Sequence, residues 1–177
     1  MRTTRLVTLA DAGEITEMVR ANREFLAPWE PSRDDDWFTT ERQRDGIRAL
    51  LVEHDRGTCL PHVILDEDDR LVGRITLSGI VRGPFQSGSL GYFVSAEANG
   101  RGRATAAVGR MVRLAFDELG LHRVQAGTLL HNVRSQRVLR RNGFVPFGVA
   151  PAYLQIAGEW QDHVLFQRVS ETAPGSA

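Results

Sequence analysis

The feature that most limits what this chain can fold into is a short apolar strand pattern, Leu90-Gly91-Tyr92-Phe93-Val94, running through a glycine-rich turn, Ser95 to Thr105, into a helix. Beyond the turn, Val108, Met111, Val112, Ala115, Phe116 and Leu119 recur at helical spacing, which predicts a helix from about Gly102 to Leu119 stopped by Gly120. Gly100 and Gly102 have no Cβ, so the backbone can turn tightly and aim successive N–H groups at one point. The helix start adds unpaired N–H groups and partial positive charge, and together these parts suit a diphosphate. A Rossmann dinucleotide site uses similar parts. Here, however, the spacing is G-x-G-x-A and the upstream strands read as a meander, without repeated β-α-β units. A Walker-type loop needs a lysine, and all 22 basic residues of this chain are arginine.

The remaining pattern mixes strands and helices. Arg5 to Leu9 reads as a strand, followed by a helix opened by Asp11 and Glu14 in capping-box spacing and carrying Ile15, Met18, Val19 and Leu26. After a turn-rich acidic stretch, Thr39 or Thr40 caps a second helix with Ile47, Leu50 and Leu51 on its apolar stripe, ending at Gly57. His62 to Asp66 and Leu71 to Val81 form a hairpin, and Ser89 to Val94 a further strand. Past the long helix come a strand at Arg123 to Leu129, a short helix at Val133 to Arg141 ended by Asn142-Gly143, and a strand at Phe144 to Val149. A last hairpin pairs Tyr153 to Ile156 with His163 to Val169 across Ala157-Gly158-Glu159. With 177 residues and neither repeat nor linker, one domain over residues 1–170 is expected, with residues 171–177 a disordered tail.

Net charge is zero, so the whole-molecule field gives no reason to expect binding to nucleic acid or membrane. The distribution is uneven: Asn99 to Val145 holds nine arginines against two acids, and the remainder balances it at minus seven. A polyanionic ligand on the C-terminal half is therefore expected, with an acidic face elsewhere suited to a cationic partner. The single cysteine, Cys59, has no partner for a disulfide or metal cluster and reads as a small buried hydrophobe. Neither a membrane span nor a secretory leader is visible, which predicts a cytoplasmic location.

Two segments resemble a known family. Asn99-Gly100-Arg101-Gly102-Arg103-Ala104 is similar to the acetyl-CoA pyrophosphate loop of the GNAT acetyltransferases, Q/R-x-x-G-x-G/A, with Asn99 in place of Gln or Arg. LHRVQAGTLLHNVRSQRVLRRNGF resembles the family's second signature, in which an Asn and a following Ser precede a short helix and K/R-x-GF. NREFLAPWEP, VRGPFQSGSLGY and YLQIAGEWQDHVL further resemble the RimJ/RimL-type N-terminal acetyltransferases of ribosomal proteins, the RimJ side in particular. The resemblance implies the GNAT fold, a mixed α/β sheet whose central parallel strands splay so that pantetheine enters between them, with acetyl-CoA as cosubstrate and no metal.

It also implies roles for single residues. A bulge along Tyr92-Phe93-Val94 would free backbone N–H groups for the pantetheine and the acetyl carbonyl. Gly100, Arg101, Gly102, Arg103, Ala104 and Thr105 would hold the diphosphate, with Arg137 and Arg141 as further phosphate ligands. Asn132 would bond the pantetheine arm and Ser135 would protonate the thiolate; a helix cap and a first-turn polar residue are the structural alternatives. Glu30 is the first candidate for gripping or deprotonating the acceptor amine and Asp162 the second, because Ala152 stands where RimL-type relatives carry an acid. Trp29, Tyr92 and Tyr153 would line the acceptor channel, while His122 and His163 read as packed or hydrogen-bonded residues. Three functional readings follow: acetylation of a protein N-terminus, the expected partner being a ribosomal protein; acetylation of a small-molecule amine; or a non-catalytic acetyl-CoA-binding or ribosome-associated module. Pairing into a homodimer is left open.

Overall fold

Hydrogen bonding along the chain produces a seven-stranded sheet in the order β1-β2-β3-β4-β5-β7-β6, and the computed structural model describes residues 3–171 of it. Of the tail expected at 171–177, all but Glu171 lies outside the described residues. The strands are β1 (Thr4–Leu6), β2 (Leu60–Leu65), β3 (Leu71–Val81), β4 (Ser87–Val94), β5 (Arg123–Leu129), β6 (Val145–Ile156) and β7 (Glu159–Val169). The helices are α1 (Ala12–Ala21), α2 (Arg23–Leu26), α3 (Thr40–Asp55), α4 (Arg103–Arg113) and α5 (Val133–Arg141). None of the described helices is long and apolar enough to cross a membrane.

The first strand is shorter than its sequence pattern, because Asp11 takes another partner. Its carboxylate pairs with Arg5 at 2.7 Å and accepts the Thr8 N–H at 2.7 Å, which ends the strand and forms a tight turn. Asp11 is therefore not the side-chain cap of α1, and Glu14 instead accepts the Leu71 N–H at 2.9 Å, tying α1 to β3. Thr39 does cap α3, accepting from the Arg42 N–H at 3.2 Å. The long helix narrows to α4 and continues as one wide turn, Leu114–Glu118, before Gly120 at φ +62° ends it. The two strands expected at Phe144 to Val149 and Tyr153 to Ile156 are one strand, β6, with an irregularity at Ala150 to Leu154 where Ala152 adopts φ +46°. His163 consequently pairs with Ala150, and the hairpin turns on Ala157-Gly158 alone.

Two apolar clusters sandwich the sheet. α1 and α3 bury Ile15, Val19 and Ile47 against Val63, Leu65 and Leu71 on one face. On the other, α4 buries Val108, Met111 and Val112 against Ile64, Ile75 and Leu77, and Leu139 of α5 joins Phe144 and Phe166. Complete burial of side chains of this kind contributes about 1.5–3 kcal/mol each, so these faces hold the layers in register.

One ladder is incomplete. The parallel pair β4–β5 bonds only from Ser87 to Ser89 against Arg123 to Gln125, although β4 continues to Val94 and β5 to Leu129. Each keeps its outer partner over its length, β3 for β4 and β7 for β5, so only the inner edges are left open. The splay expected from the resemblance is present. No bulge lies at Tyr92 to Val94, which pair regularly with β3; the β3–β4 irregularity is at Ser78 to Val81.

Gly73 sets how closely β3 approaches β4 at this opening. A Cβ there would meet the Phe93 carbonyl oxygen and lie 3.1 Å from the Val94 Cα, both backbone atoms. Gly73→Ala is expected to cost about 1–3 kcal/mol by overpacking, read as a lower urea midpoint at unchanged slope. A wild-type midpoint would contradict so close an approach.

Candidate active site

Where β4 and β5 part, the structure holds a cleft of about 370 Å³ walled by Tyr92 and Phe93 of β4, Gly127 to Leu129 of β5 and Ser135 of α5. Leu26, Trp29, Tyr92, Phe93, Asn132 and Ser135 also line a second chamber of about 520 Å³, which reaches Asn99 and Ala104 at the glycine turn. The two chambers adjoin through these shared residues and together span from the turn to the far end of the cleft at Glu30, Arg74 and His163.

The turn end is shaped for an anion. Gly100 and Gly102 both adopt φ +77°, a conformation that disfavours side chains, and a Cβ on either would meet nothing within 4 Å. Gly102 is the N-cap of α4 with no side-chain cap bond, and no acid sits in the first turn, so the leading N–H groups of Arg103, Ala104 and Thr105 are left for a ligand. Asn99 braces the turn from behind, donating to the Val94 and Ser95 carbonyls at 3.2 and 3.0 Å. Arg101, Arg134 and Arg137 are exposed without an ion pair among the described residues, and Arg134 lines the chamber. Arg103 turns the other way: its side chain is buried and pairs with Glu67 on the β2–β3 turn, which removes it from the free guanidiniums. Arg141 stands at the far end of α5 beside Gly109 and Arg113, in a separate groove.

At the middle of the path, the Tyr92 and Ser135 hydroxyls lie 2.8 Å apart, and either can donate. Burial pushes the Tyr92 phenol up to about 12, against a smaller opposing effect of the Ser135 bond, so it stays protonated at neutral pH. Asn132 accepts the Ser135 N–H at 3.1 Å and so caps α5, leaving its amide nitrogen without a partner among the described residues. The signature Asn and Ser thus form a cap that aims the Ser hydroxyl at Tyr92.

The far end of the cleft holds Glu30, Arg33 and Arg74 together. Burial raises the Glu30 carboxyl above its usual range, and the Arg33 and Arg74 guanidiniums pull against that. Arg74 is anchored from α3, donating to Gln43 Oε1 at 3.2 Å, while Gln43 donates to the Trp37 carbonyl at 2.6 Å. Trp29 lies against the His131 ring at 5.5 Å, and the Glu30 carbonyl accepts the Ala157 N–H at 3.0 Å, closing the β6–β7 hairpin onto this loop. Two sequence candidates lie elsewhere. Asp162 is exposed and accepts the Ala152 N–H at 2.8 Å, stabilising the strand irregularity, and Tyr153, which does not line the cleft, packs against His163 with ring centroids 5.5 Å apart and reaches 3.5 Å from the Cβ position of Gly127.

The sequence reading passed over Arg33, Arg74 and Thr128, which line the cleft; His163, read as packed or hydrogen-bonded, is both buried and bonded to the Gln161 carbonyl, and it lines the cleft as well. A signal for Arg74 was present: Arg74, Thr76 and Ser78 occupy alternate positions of a central strand where apolar residues are the norm. That polar stripe forms part of the cleft wall.

This geometry agrees with comparisons against known proteins. A model of the acetyltransferase (GNAT) domain family matches residues 3–145. The probable N-acetyltransferase YjcK of Bacillus subtilis is 37% identical over 160 residues, covering 90% of this chain and 88% of its own. The [ribosomal protein uS5]-alanine N-acetyltransferase of Escherichia coli is 33% identical over 162 residues, covering 91% and 84%. Among solved structures, Mycobacterium smegmatis RimJ in complex with CoA-disulfide superposes with a TM-score of 0.91 at 31% identity, over 98% of this chain and 84% of that one. The ribosomal-protein-S5-alanine acetyltransferase of Vibrio fischeri gives 0.90 at 34%, over 95% and 92%. This chain belongs to the GNAT acetyltransferases, in the RimJ/RimL-type branch, and is an N-acetyltransferase.

Proposed function

We propose that this enzyme transfers acetyl from acetyl-CoA to the α-amine at the N-terminus of a protein, a ribosomal protein in the cytoplasm. The observation that carries the reading is the pair of adjoining chambers at the parted strands, one reaching the glycine turn at Asn99 and Ala104 and the other Glu30. Relatives named for acetylating an alanine of ribosomal protein uS5 support the choice of acceptor.

The residues fit the cosubstrate. Amides of Gly100 to Thr105 hold the diphosphate with Arg101, and Arg134 and Arg137 neutralise the remaining phosphate charge. When bound, acetyl-CoA supplies the acetyl group as a thioester. The Val94 backbone N–H, which strand alternation turns away from β3 toward the open edge, stabilises the oxyanion, a contribution of about 3–4 kcal/mol for a preorganised donor. The Asn132 amide nitrogen bonds the pantetheine arm. The Ser135–Tyr92 hydroxyl pair carries a proton to the departing sulfur.

The acceptor end favours an α-amine over a lysine. Two guanidiniums face one carboxylate there, so a cationic acceptor enters against a net positive field. A protein α-amine, with a pKa near 7.7–8.0, gives its proton to a base in the site far more readily than lysine at about 10.4, and so sheds the charge more easily. Glu30 orients the amine, and Arg74 meets the carbonyl oxygen of the first peptide unit.

Three measurements test this. Gly102→Glu places bulk and negative charge on the diphosphate turn and is expected to abolish coenzyme A binding by calorimetry; wild-type affinity would mean that the turn is not the site. Glu30→Gln is expected to lower kcat/KM for the acceptor by about 10-fold or more while coenzyme A affinity holds, and normal kinetics would remove Glu30 from the site. Intact-mass analysis of ribosomal proteins from a strain lacking the gene is expected to show one N-terminus lighter by an acetyl group. If none changes and thiol release occurs only with small amines, the acceptor is a small molecule.

A further inference from the structure

We propose that His163 is the general base that takes the proton from the acceptor ammonium. This rests on the acetyl-transfer reading and adds a residue to it. His163 lies on β7, paired with Leu129 of β5 and Ala150 of β6, beside the open strand edges. Its side chain is buried at 3% exposure and lines the cleft.

The geometry fixes the ring's tautomer. Nδ1 lies 2.9 Å from the Gln161 carbonyl oxygen, and a carbonyl oxygen only accepts, so Nδ1 carries the proton of the neutral imidazole. Nε2 is left with its lone pair. It has no hydrogen-bond partner among the described residues and is not among the sealed buried atoms that lack one, so it opens on the cleft. The Cδ2 edge beside Nε2 lies 3.6 Å from the Cβ position of Gly127, and the Tyr153 ring, tilted against the imidazole at 5.5 Å between centroids, lies 3.5 Å from the same position. A histidine placed only for packing has no need of an anchored tautomer with its basic nitrogen facing a cavity.

The neighbouring groups favour the same assignment. Tyr153 comes from β6, Gly127, Thr128 and Leu129 from β5, and the charged groups across the cleft are Glu30, Arg33 and Arg74. Glu30 faces those guanidiniums with no ion pair within 4 Å among the described residues, and Asp162 points outward to the Ala152 N–H. The His163 imidazole is the one histidine ring lining the cleft among the described residues.

The proton and electron balance closes. Nε2 takes one proton from the ammonium and becomes imidazolium. The freed amine lone pair forms the N–C bond at the acetyl carbonyl carbon. The C–S bond breaks with its electron pair on sulfur. The Ser135–Tyr92 pair passes the second amine proton to that sulfur, and the imidazolium returns its proton to water.

His163→Asn keeps a donor for the Gln161 carbonyl and removes the cleft-facing nitrogen. With whichever amine the wild type turns over fastest, kcat/KM is expected to fall by about 100-fold, while coenzyme A affinity and unfolding midpoint stay within error. Using that amine separates failure of this assignment from failure of the α-amine reading. With two acceptors of different amine pKa, the wild-type pH–rate profile is expected to be the same for both, and the His163→Asn profile to follow the acceptor. Added imidazole is expected to restore His163→Gly activity in part. Independently of turnover, 15N NMR of the ring is expected to show the proton on Nδ1. Near-wild-type kinetics for His163→Asn, or a proton on Nε2, overturns the proposal.

Discussion

The structure depends on a ladder that stops early. β4 and β5 pair for three residues and then part, and everything chemically distinctive in the molecule lies along the edges they leave open. Gly91 of β4 and Gly127 of β5 are exposed in this opening, so backbone groups on the two edges are available to hydrogen-bond a molecule that enters between them. Stability comes from outside the gap: β3 and β7 hold the strands from their far sides, and the clusters on the two sheet faces pack normally. The fold is closed on its flanks and open at its centre.

The opening is lined with a graded chemistry. At one end are glycine amides and a helix start with no acid nearby; in the middle, a tyrosine hydroxyl kept protonated by burial against a serine; at the other end, one carboxylate among two guanidiniums with a histidine beside them. Each end is supported from a separate layer. Asn99 and α4 fix the turn, whereas α3, through Gln43, and the β6–β7 hairpin, through Ala157, fix the acceptor end.

The sequence was most legible where local patterns decide the structure. Leu71–Val81, Arg123–Leu129 and Val133–Arg141 have the bounds their periodicity implies, and Gly57, Gly102 and Gly120 stand at helix ends with positive φ. It was least legible where a residue chose between partners distant in sequence. Asp11 looked like a helix cap and instead binds Arg5; Arg103 looked like a phosphate ligand and instead binds Glu67. Asp162 and His163 are adjacent, and strand alternation sends one to the Ala152 N–H and the other into the cleft. Which neighbour faced inward depended on the irregularity at Ala150 to Leu154, and a positive-φ alanine leaves no mark in a sequence.

The most direct test of this account is a crystal structure with coenzyme A. The account requires the diphosphate on the amides of Gly100 to Thr105 and the pantetheine between β4 and β5, its sulfur beside Ser135. Density for the cofactor elsewhere, with the strands closed or the gap filled by side chains, would contradict it.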